Sequence, residues 1–240
     1  MSAYDFDEQF HRLTVEGRPA RRGGPPPPPF KEYPTAPSYA LPDPRPLSMP
    51  LHEALLQRRS LRAYDPEATL TLSDLATLLD FSVGVTHFYR DRYPLRAYPS
   101  AGALHPLELY VYARRVESLP SGVFHYHPLE HRLFHIVEGT LEEALVRAAY
   151  DQEFLADAAA VLIFTLVYER TRRKYGYRAY RYVFMDLGAA CENVYLTATG
   201  LGLGTVLVGA FDDDAVATLL GLDPEEEWVG ALMPVGRPAE

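Results

Sequence analysis

The chain has 240 residues, of which 48% are hydrophobic, so it is long enough to bury one sizeable core or two small ones. Its formal net charge of -9 makes the molecule a poor match for nucleic acid or anionic lipid, and any anion that it binds must meet a local basic patch. Cys191 is the single cysteine, which excludes an internal disulfide framework and predicts a reducing, cytoplasmic location.

The chain shows no targeting or membrane signal. Its first residues, "MSAYDFDEQF", are acidic and lack the basic start and apolar centre of a signal peptide. The longest apolar run covers the 11 residues from Ala158 to Tyr168, whereas a membrane span needs about 20. We therefore expect no membrane partner.

Residues 1–47 differ in composition from the rest of the chain. Of the 21 prolines, 12 lie at or before Pro50, five of them consecutively at 25–29, and the region includes "RPARRGG". We predict a proline-rich extended arm over residues 1–47 and one globular domain over 48–240. The arm either wraps its own body or a sister subunit, or it is a PxxP ligand for another protein.

The first globular elements are predicted from capping signals. Ser48 can cap a short helix that has Pro50 in its first turn and runs through "LHEALLQRR". Thr71-x-x-Asp74 resembles a capping box that opens a second helix, and Gly84 is a plausible end for it. In "LELYVY" every second residue is apolar, which predicts a strand over 107–113.

The remaining elements follow from their hydrophobic spacing. Two alternating runs around Pro128-Leu129-Glu130 predict a hairpin. The others, in chain order, are a helix in "LEEALVRAAYDQEFLA", a central strand in "AAAVLIFTLVY", a long helix in "YRYVFMDLGAACENVYLTATGLGLG", a strand in "TVLVGAF", a helix in "DDDAVATLLGLD" and a strand in "EWVGALMPVG". There are too few regular βα units for a doubly wound sheet, so the predicted fold class is α+β.

Three stretches could bind an anionic or planar ligand. Arg58, Arg59, Ser60 and Arg62 can clamp a phosphate, or they can simply be a solvated basic helix end. The loop "PSAGA" has almost no side chains, so its backbone allows close approach, although an ordinary strand entry would look the same. In "VLVGAFDDD", backbone amides at Val208, Gly209 and Ala210 could face a ligand edge, as at many strand-to-helix turns.

A fourth stretch, "ERTRRKYGYRAYRY", is basic in an otherwise acidic protein. It could hold an acid/base pair of Lys174 with a tyrosine, because a partly desolvated lysine among arginines loses proton affinity. The alternative is a basic loop with no catalytic role.

Two further patterns are weak. "GLGLG" at 200–204 follows a helix instead of a strand, so it lacks the context of a dinucleotide-binding fingerprint and is expected to end that helix. The histidines of the hairpin, which are His125, His127, His131 and His135, alternate as on a polar sheet face, and we expect no metal there.

Taken together, the motifs resemble the nitroreductase-like FMN flavoprotein superfamily, and most closely its SagB-type thiazoline/oxazoline dehydrogenase branch. The matching pieces, from about residue 50 to 238, are "RRSLRAY", "YPSAGALHPLELYVY", "GVFHYHPLEHRL", "KYGYRAYRYVFMDLGAACENVYLTATGLGLG", "VGAFDDD" and "PVGRP". The resemblance implies a central, mostly antiparallel sheet flanked by helices, in an interlocked homodimer with FMN at the interface. A monomeric α+β barrel is the alternative.

The resemblance also implies roles for individual residues. Arg58, Arg59, Ser60 and Arg62 would hold the flavin phosphate and ring edge, and Arg237 would add a phosphate contact. Pro99, Ser100, Ala101 and Gly102 would line the ring from the other subunit, and the turn Val208-Gly209-Ala210 would place an amide near flavin N5. Lys174 and Tyr175 would be the catalytic pair. Simple nitroreductases usually carry asparagine where this chain has Ala103, which favours the peptide-modifying branch.

The implied activity is oxidation of a heterocycle in a ribosomally made peptide, with proton removal by Lys174 or Tyr175, hydride transfer to flavin N5 and reoxidation by oxygen. A cyclodehydratase is the implied partner. Two alternatives remain: an NAD(P)H-dependent nitro or quinone reductase, and an FMN-bound scaffold subunit whose arm recruits a partner.

Overall fold

The computed structural model describes residues 3–15 and 25–239. Its α-helices are α1 (Ala3–Val15), α2 (Leu51–Gln57), α3 (Leu72–Val83), α4 (Glu142–Ala148), α5 (Phe154–Asp157), α6 (Tyr168–Tyr175), α7 (Ala179–Gly200) and α8 (Asp213–Leu220). Its strands are β1 (Ser38–Ala40), β2 (Val85–Tyr89), β3 (Tyr93–Arg96), β4 (Leu107–Ala113), β5 (Gly122–His127), β6 (Arg132–Glu138), β7 (Ala160–Leu166), β8 (Gly204–Thr205) and β9 (Trp228–Gly236).

Seven strands form one antiparallel sheet in the order β1-β6-β5-β4-β7-β9-β8. The sheet is open, with β1 and β8 at its edges, so the barrel alternative is wrong and the predicted α+β class is confirmed. Strand β7 pairs with β4 on one side and β9 on the other and is buried along its whole length, which explains its continuous apolar sequence.

Helices cover both faces of the sheet. Side chains of β7 alternate between two cores: Leu162 and Phe164 pack in the core that contains α3 and α7, whereas Val161 and Ile163 pack in the core that contains α4 and α8. Helix α7 therefore packs on one face of the sheet, and several of its residues make contacts in the candidate site.

Local signals predict several boundaries correctly. The Thr71 side chain accepts a hydrogen bond from the backbone N–H of Asp74 at 3.0 Å, and α3 ends at Gly84. Asp212 caps α8 by accepting from the N–H of Ala215. The hairpin β5–β6, the strands β4, β7 and β9 and the long helix α7 are also confirmed.

Other boundaries differ from the predictions. Helix α2 has Pro50 at its N-cap, not Ser48. The helix expected in "LEEALVRAAYDQEFLA" is split into α4 and α5, because Tyr150 and Asp151 have left-handed φ values of 54° and 60°. Of the strand expected in "TVLVGAF", only β8 and a single bridge between Val208 and Leu232 form.

The N-terminal region contains a helix that the extended-arm prediction does not include. Helix α1 packs on the start of α7: the Phe10 ring meets the Tyr180 ring edge-on at 4.8 Å, and Arg181 donates to the Thr14 hydroxyl at 2.9 Å. The "RPARRGG" segment lies outside the described residues, and the domain division at residue 48 stays a prediction.

The proline-rich segment that the structure describes lies against the body. Lys31 Nζ donates to Glu227 at 2.5 Å and to the Tyr110 hydroxyl at 2.9 Å, and Arg45 forms an ion pair with Asp74 at 2.6 Å. Strand β1 extends the sheet beyond β6. Within the described part of the chain, no helix has the length and apolar character that crossing a membrane requires.

Candidate active site

The small-residue loop after β3 is held in place by a carboxylate on α7. The Ser100 hydroxyl donates to Asp186 at 2.6 Å, the Ala101 N–H donates to the other carboxylate oxygen at 3.2 Å, and the His105 N–H donates to the Ser100 hydroxyl at 3.0 Å. Asp186 is buried, which raises the pKa of its carboxyl group, and the two hydrogen bonds from the loop oppose that shift. The loop is therefore a fixed backbone surface and not a loose connection.

Gly102 lies directly beside the predicted catalytic pair. An ideal Cβ at this position would lie 2.6 Å from Lys174 Nζ and 2.7 Å from the Tyr175 hydroxyl, and the backbone has a left-handed φ of 66°. A Cβ here would require the ends of both side chains to shift, whereas glycine lets them keep these positions. The structure thus brings together the loop and the Lys-Tyr pair within a single subunit, which the spacing in the sequence does not predict.

Lys174 and Tyr175 are the last two residues of α6. Lys174 is exposed, so the described chain alone does not provide the partial desolvation of this lysine that its arginine-rich surroundings predict. Its ammonium lies 5.2 Å from the centre of the Tyr175 ring, which in turn meets the Tyr182 ring edge-on at 4.9 Å. The pair is therefore an accessible amino group beside a phenol whose ring packs on Tyr182.

The arginine-rich segment lies at the other end of α7. The Ser60 hydroxyl is 3.0 Å from the Tyr195 hydroxyl, and the Arg58 guanidinium lies 5.1 Å from the centre of the Tyr195 ring. Arg59 donates to the carbonyls of Leu56 and Arg58.

The C-terminal strand brings Arg237 to the same edge. The Leu61 N–H donates to the Thr205 carbonyl, and the Asp65 N–H donates to the Arg237 carbonyl, so residues 60–65 run beside β8 and the end of β9. Among the described residues, Arg58, Arg59 and Arg62 form no ion pair with a carboxylate, and Arg237 has only a 3.5 Å contact with Asp74. Three guanidinium groups without a carboxylate partner, together with a fourth that has only this long contact, fit a phosphate.

The turn at 208–210 is joined to this edge by Tyr195. The Leu207 N–H donates to the Tyr195 hydroxyl at 2.7 Å, and the Val208 N–H and C=O pair with Leu232. Gly209 and Ala210 are exposed, and a Cβ at Gly209 would meet nothing within 4 Å. The backbone of this turn is open to a ligand.

Asp186 and Tyr195 are the two positions that sequence reasoning misses. Both are polar groups on the buried, mainly apolar face of α7, a pattern that signals a specific hydrogen-bonding role. At a rise of about 1.5 Å per residue they are separated by about 14 Å along α7. The loop and the arginine-rich segment of one chain therefore lie at different ends of this helix.

The hairpin histidines do not converge. His125 Nε2 bonds to Glu108, His131 Nε2 lies 2.9 Å from the carbonyl of Pro42, and the His135 ring stacks on Phe124. Among the described residues, His127, Glu32 and Glu130 bring three ligand atoms within 4.8 Å of one another. However, His127 Nδ1 accepts the Glu130 N–H, so in the neutral ring the proton lies on Nε2 and faces Glu32.

The "GLGLG" segment ends α7, as expected.

Curated relatives fall into two groups. MJ1384, a nitroreductase-type protein of Methanocaldococcus jannaschii, is 44% identical over 190 residues, or 79% of this chain and 92% of its own. The microcin B17-processing protein McbC of Escherichia coli is 31% identical over 53% of this chain, and the trifolitoxin-processing protein TfxB of Rhizobium leguminosarum bv. trifolii is 31% identical over 65%. The chain spans 49% and 44% of the lengths of these two processing proteins.

Solved structures show the same fold. A nitroreductase-type protein from Anabaena variabilis has a TM-score of 0.74 at 30% identity over 88% of this chain and 44% of its own. The Escherichia coli microcin synthetase McbBCD complex with truncated pro-MccB17 bound gives 0.66 at 24% identity, over 88% of this chain and 79% of that one. A Desulfovibrio desulfuricans structure in complex with FMN gives 0.57 at 20% identity, over 80% and 88%.

A family model also covers most of the chain. The model of the nitroreductase family matches residues 55–237, the stretch that contains the loop, the Lys-Tyr pair and every arginine of the candidate phosphate site. By this match, the chain belongs to the nitroreductase family, a family of oxidoreductases.

Proposed function

We propose that this chain is an FMN-dependent dehydrogenase that oxidises a thiazoline or oxazoline ring in a ribosomally made peptide. The observation that supports the proposal is that the side-chain ends of Lys174 and Tyr175 lie beside Gly102, 2.6 and 2.7 Å from where a Cβ of that residue would be, so that a candidate base lies next to a bare backbone loop. The similarity to the processing proteins for microcin B17 and trifolitoxin supports a peptide substrate. The ring must first be formed, so we propose a cyclodehydratase as partner.

The arginine-rich edge is the proposed cofactor site. Arg58, Arg59, Arg62 and Arg237 would hold the phosphate, with Ser60 as an additional donor, and the exposed amides of Gly209 and Ala210 would face the ring edge. FMN bound there would supply the hydride acceptor and pass the electrons on to dioxygen. The neutral amine of Lys174 or the phenolate of Tyr175 would take the proton from the adjacent ring atom, so that one proton and one hydride leave and an aromatic azole is formed.

We further propose that two copies share each site. The loop of one chain lies about 14 Å along α7 from its own arginine-rich segment, so Pro99, Ser100, Ala101 and Gly102 would line the flavin bound by the partner. Helix α7 also exposes the neighbouring apolar side chains of Phe184 and Met185, a surface that a second copy would cover.

The test begins with the absorbance spectrum of purified protein and identification of the released chromophore. Synthetic thiazoline and oxazoline peptides are then mixed with the protein, first without air and then with it. We expect the peptide to bleach the flavin and the azole product to accumulate on aeration. Colourless protein that takes up no FMN would contradict the cofactor site.

A second candidate is an NAD(P)H-dependent nitro or quinone reductase, which the 44% identity to MJ1384 favours. It predicts that NADH alone bleaches the flavin and that the azoline peptides leave it oxidised. The same anaerobic experiment therefore separates the two activities.

Replacement of Gly102 by alanine tests the contact on which the proposal depends. A left-handed alanine costs about 1 kcal/mol of folding free energy, and its Cβ displaces the Lys174 ammonium and the Tyr175 hydroxyl. We expect azoline oxidation to fall by about 10- to 100-fold with FMN retained. Ala103→Gly is the matched control, because Ala103 has a φ of 53° and should lose strain without loss of turnover. Equal activities of the two variants would refute the contact.

A further inference from the structure

Arg170 is a buried cation one turn before the Lys-Tyr pair in α6. Its side chain is only 4% exposed, although Lys174, four residues later on the same helix, is exposed. One helical turn separates the two residues, so the contacts that hold Arg170 in the interior also restrict the position of the end of α6.

The guanidinium of Arg170 bonds to three separate parts of the chain. Its Nε donates to the Pro28 carbonyl at 2.9 Å, one terminal nitrogen donates to the His105 carbonyl at 3.2 Å, and the other donates to Glu108 on β4 at 2.5 Å. The acceptors belong to the proline-rich segment, the end of the small-residue loop and the central sheet.

Each oxygen of the Glu108 carboxylate has a hydrogen-bonding partner, and Arg170 is the partner of the first. Its second oxygen bonds to His125 Nε2 at 2.8 Å. Burial by itself would raise the pKa of Glu108, but Arg170 and His125 together outweigh burial and hold the pKa at about 2. The carboxylate therefore stays charged at neutral pH and anchors the guanidinium to the rigid sheet.

The loop is thus fixed at both ends. Asp186 holds Ser100 and Ala101 at the start, and Arg170 holds the His105 carbonyl at the end. Gly102, between these two anchors, is the residue that meets Lys174 and Tyr175.

We infer that Arg170 is a positioning residue for the proposed reaction: it joins the helix that carries Lys174 and Tyr175 to the loop that faces them and to the proline-rich segment. This inference rests on the proposed function for its catalytic consequence. Arg170 is buried and does not reach substrate. Its planar guanidinium donates hydrogen bonds to three acceptors at once, which a lysine ammonium on a flexible side chain cannot do with the same geometry.

The test compares Arg170→Lys and Arg170→Met with Arg114→Lys in the full-length, FMN-loaded protein. Arg114 is the matched control, because it also bonds to a carboxylate, Glu142 at 3.0 Å, away from α6 and the loop. We expect Arg170→Lys to slow flavin reduction by azoline peptide about 10- to 100-fold, with FMN content and reoxidation by air unchanged. In a Lys174→Ala background the same change should cause no further loss, since the pair that Arg170 positions is already inactive.

Amide hydrogen exchange provides a readout that does not depend on turnover. Exchange should rise in α6 and in the loop at 99–105 of both Arg170 variants and stay unchanged in α8 and in Arg114→Lys. A uniform rise over the whole chain, or no rise in α6 and the loop, would overturn the inference. If Arg170→Met does not fold, Arg170→Lys carries the test. If the wild-type protein oxidises no azoline, the proposed function fails, while the exchange pattern still decides whether Arg170 couples the helix to the loop.

Discussion

Lys174→Ala should retain its flavin and lose azoline oxidation by about 10²- to 10⁴-fold, the range that general acid/base groups supply. The physical reason is that Lys174 ends α6 beside Gly102, whereas the proposed phosphate ligands lie at the far end of α7. Removal of the ammonium should therefore spare cofactor binding. The measurement is the rate of anaerobic flavin bleaching by an azoline peptide, with the flavin content determined separately.

Two substitutions separate charge from proton transfer. Lys174→Arg keeps a cation at this position, but a guanidinium does not give up its proton at neutral pH, so this variant should be as inactive as Lys174→Ala if Lys174 is the base. Tyr175→Phe keeps the ring that packs on Tyr182 and removes only the hydroxyl. Tyr177→Phe is the control for it, since Tyr177 is exposed and lies in the next turn. Full activity of Lys174→Ala would remove the lysine from the mechanism.

Mixed dimers test whether a site is shared between chains. Lys174→Ala lacks the base, and an Arg58→Ala/Arg62→Ala double variant lacks part of the phosphate clamp, so each alone should be inactive. If the base of one chain serves the flavin held by the other, coexpression should restore one intact site per mixed dimer. If every site is built from a single chain, the mixture should stay inactive.

The fold follows from the sequence wherever the signal is local. The Thr71 cap, the alternation in β4 and the unbroken apolar run of β7 each depend on a few neighbouring residues, and each prediction is confirmed. The break between α4 and α5 depends on left-handed backbone at Tyr150 and Asp151, which no glycine marks. The hairpin β2–β3 is not predicted, and α1 is stabilised by its contacts with α7, which lie far away in the sequence.

The candidate site also combines features that local sequence predicts with features that depend on tertiary packing. Local sequence patterns alone single out four candidate stretches: the arginine-rich segment, the bare loop, the turn at 208–210 and the basic stretch that contains Lys174. Which of them meet depends on the packing of α6 and α7, and the structure joins the loop to Lys174 while separating both from the arginines. Asp186 and Tyr195 set this arrangement through tertiary hydrogen bonds, whose partners cannot be read from a single sequence.

Lys31→Met should lower the free energy of unfolding by about 3 kcal/mol, the lower end of the range for removing one partner of a buried ion pair. The Lys31 ammonium bonds to Glu227, whose side chain is 6% exposed and also accepts from Tyr110 and Thr165. Burial would lower the pKa of Lys31, but Glu227 outweighs it and raises the pKa, so the stabilisation is fully present below the ordinary value and is lost only as pH rises through the raised one. Thermal and denaturant unfolding at neutral pH measure the effect, and we expect a fall in Tm of roughly 6–12 °C.

The double variant Lys31→Met/Glu227→Gln shows whether the ion pair itself holds the arm. Without Lys31 the Glu227 carboxylate stays buried and loses its counter-charge, whereas the neutral amide of glutamine needs none, so the double variant should be more stable than Lys31→Met alone. If the changes in unfolding free energy caused by Lys31→Met and by Glu227→Gln simply add up in the double variant, the ion pair contributes nothing to stability. A coupled result would mean that the proline-rich segment is held to the sheet by a buried ion pair. A segment held in this way cannot leave to serve as a PxxP ligand without loss of that stability, which argues against the scaffold alternative.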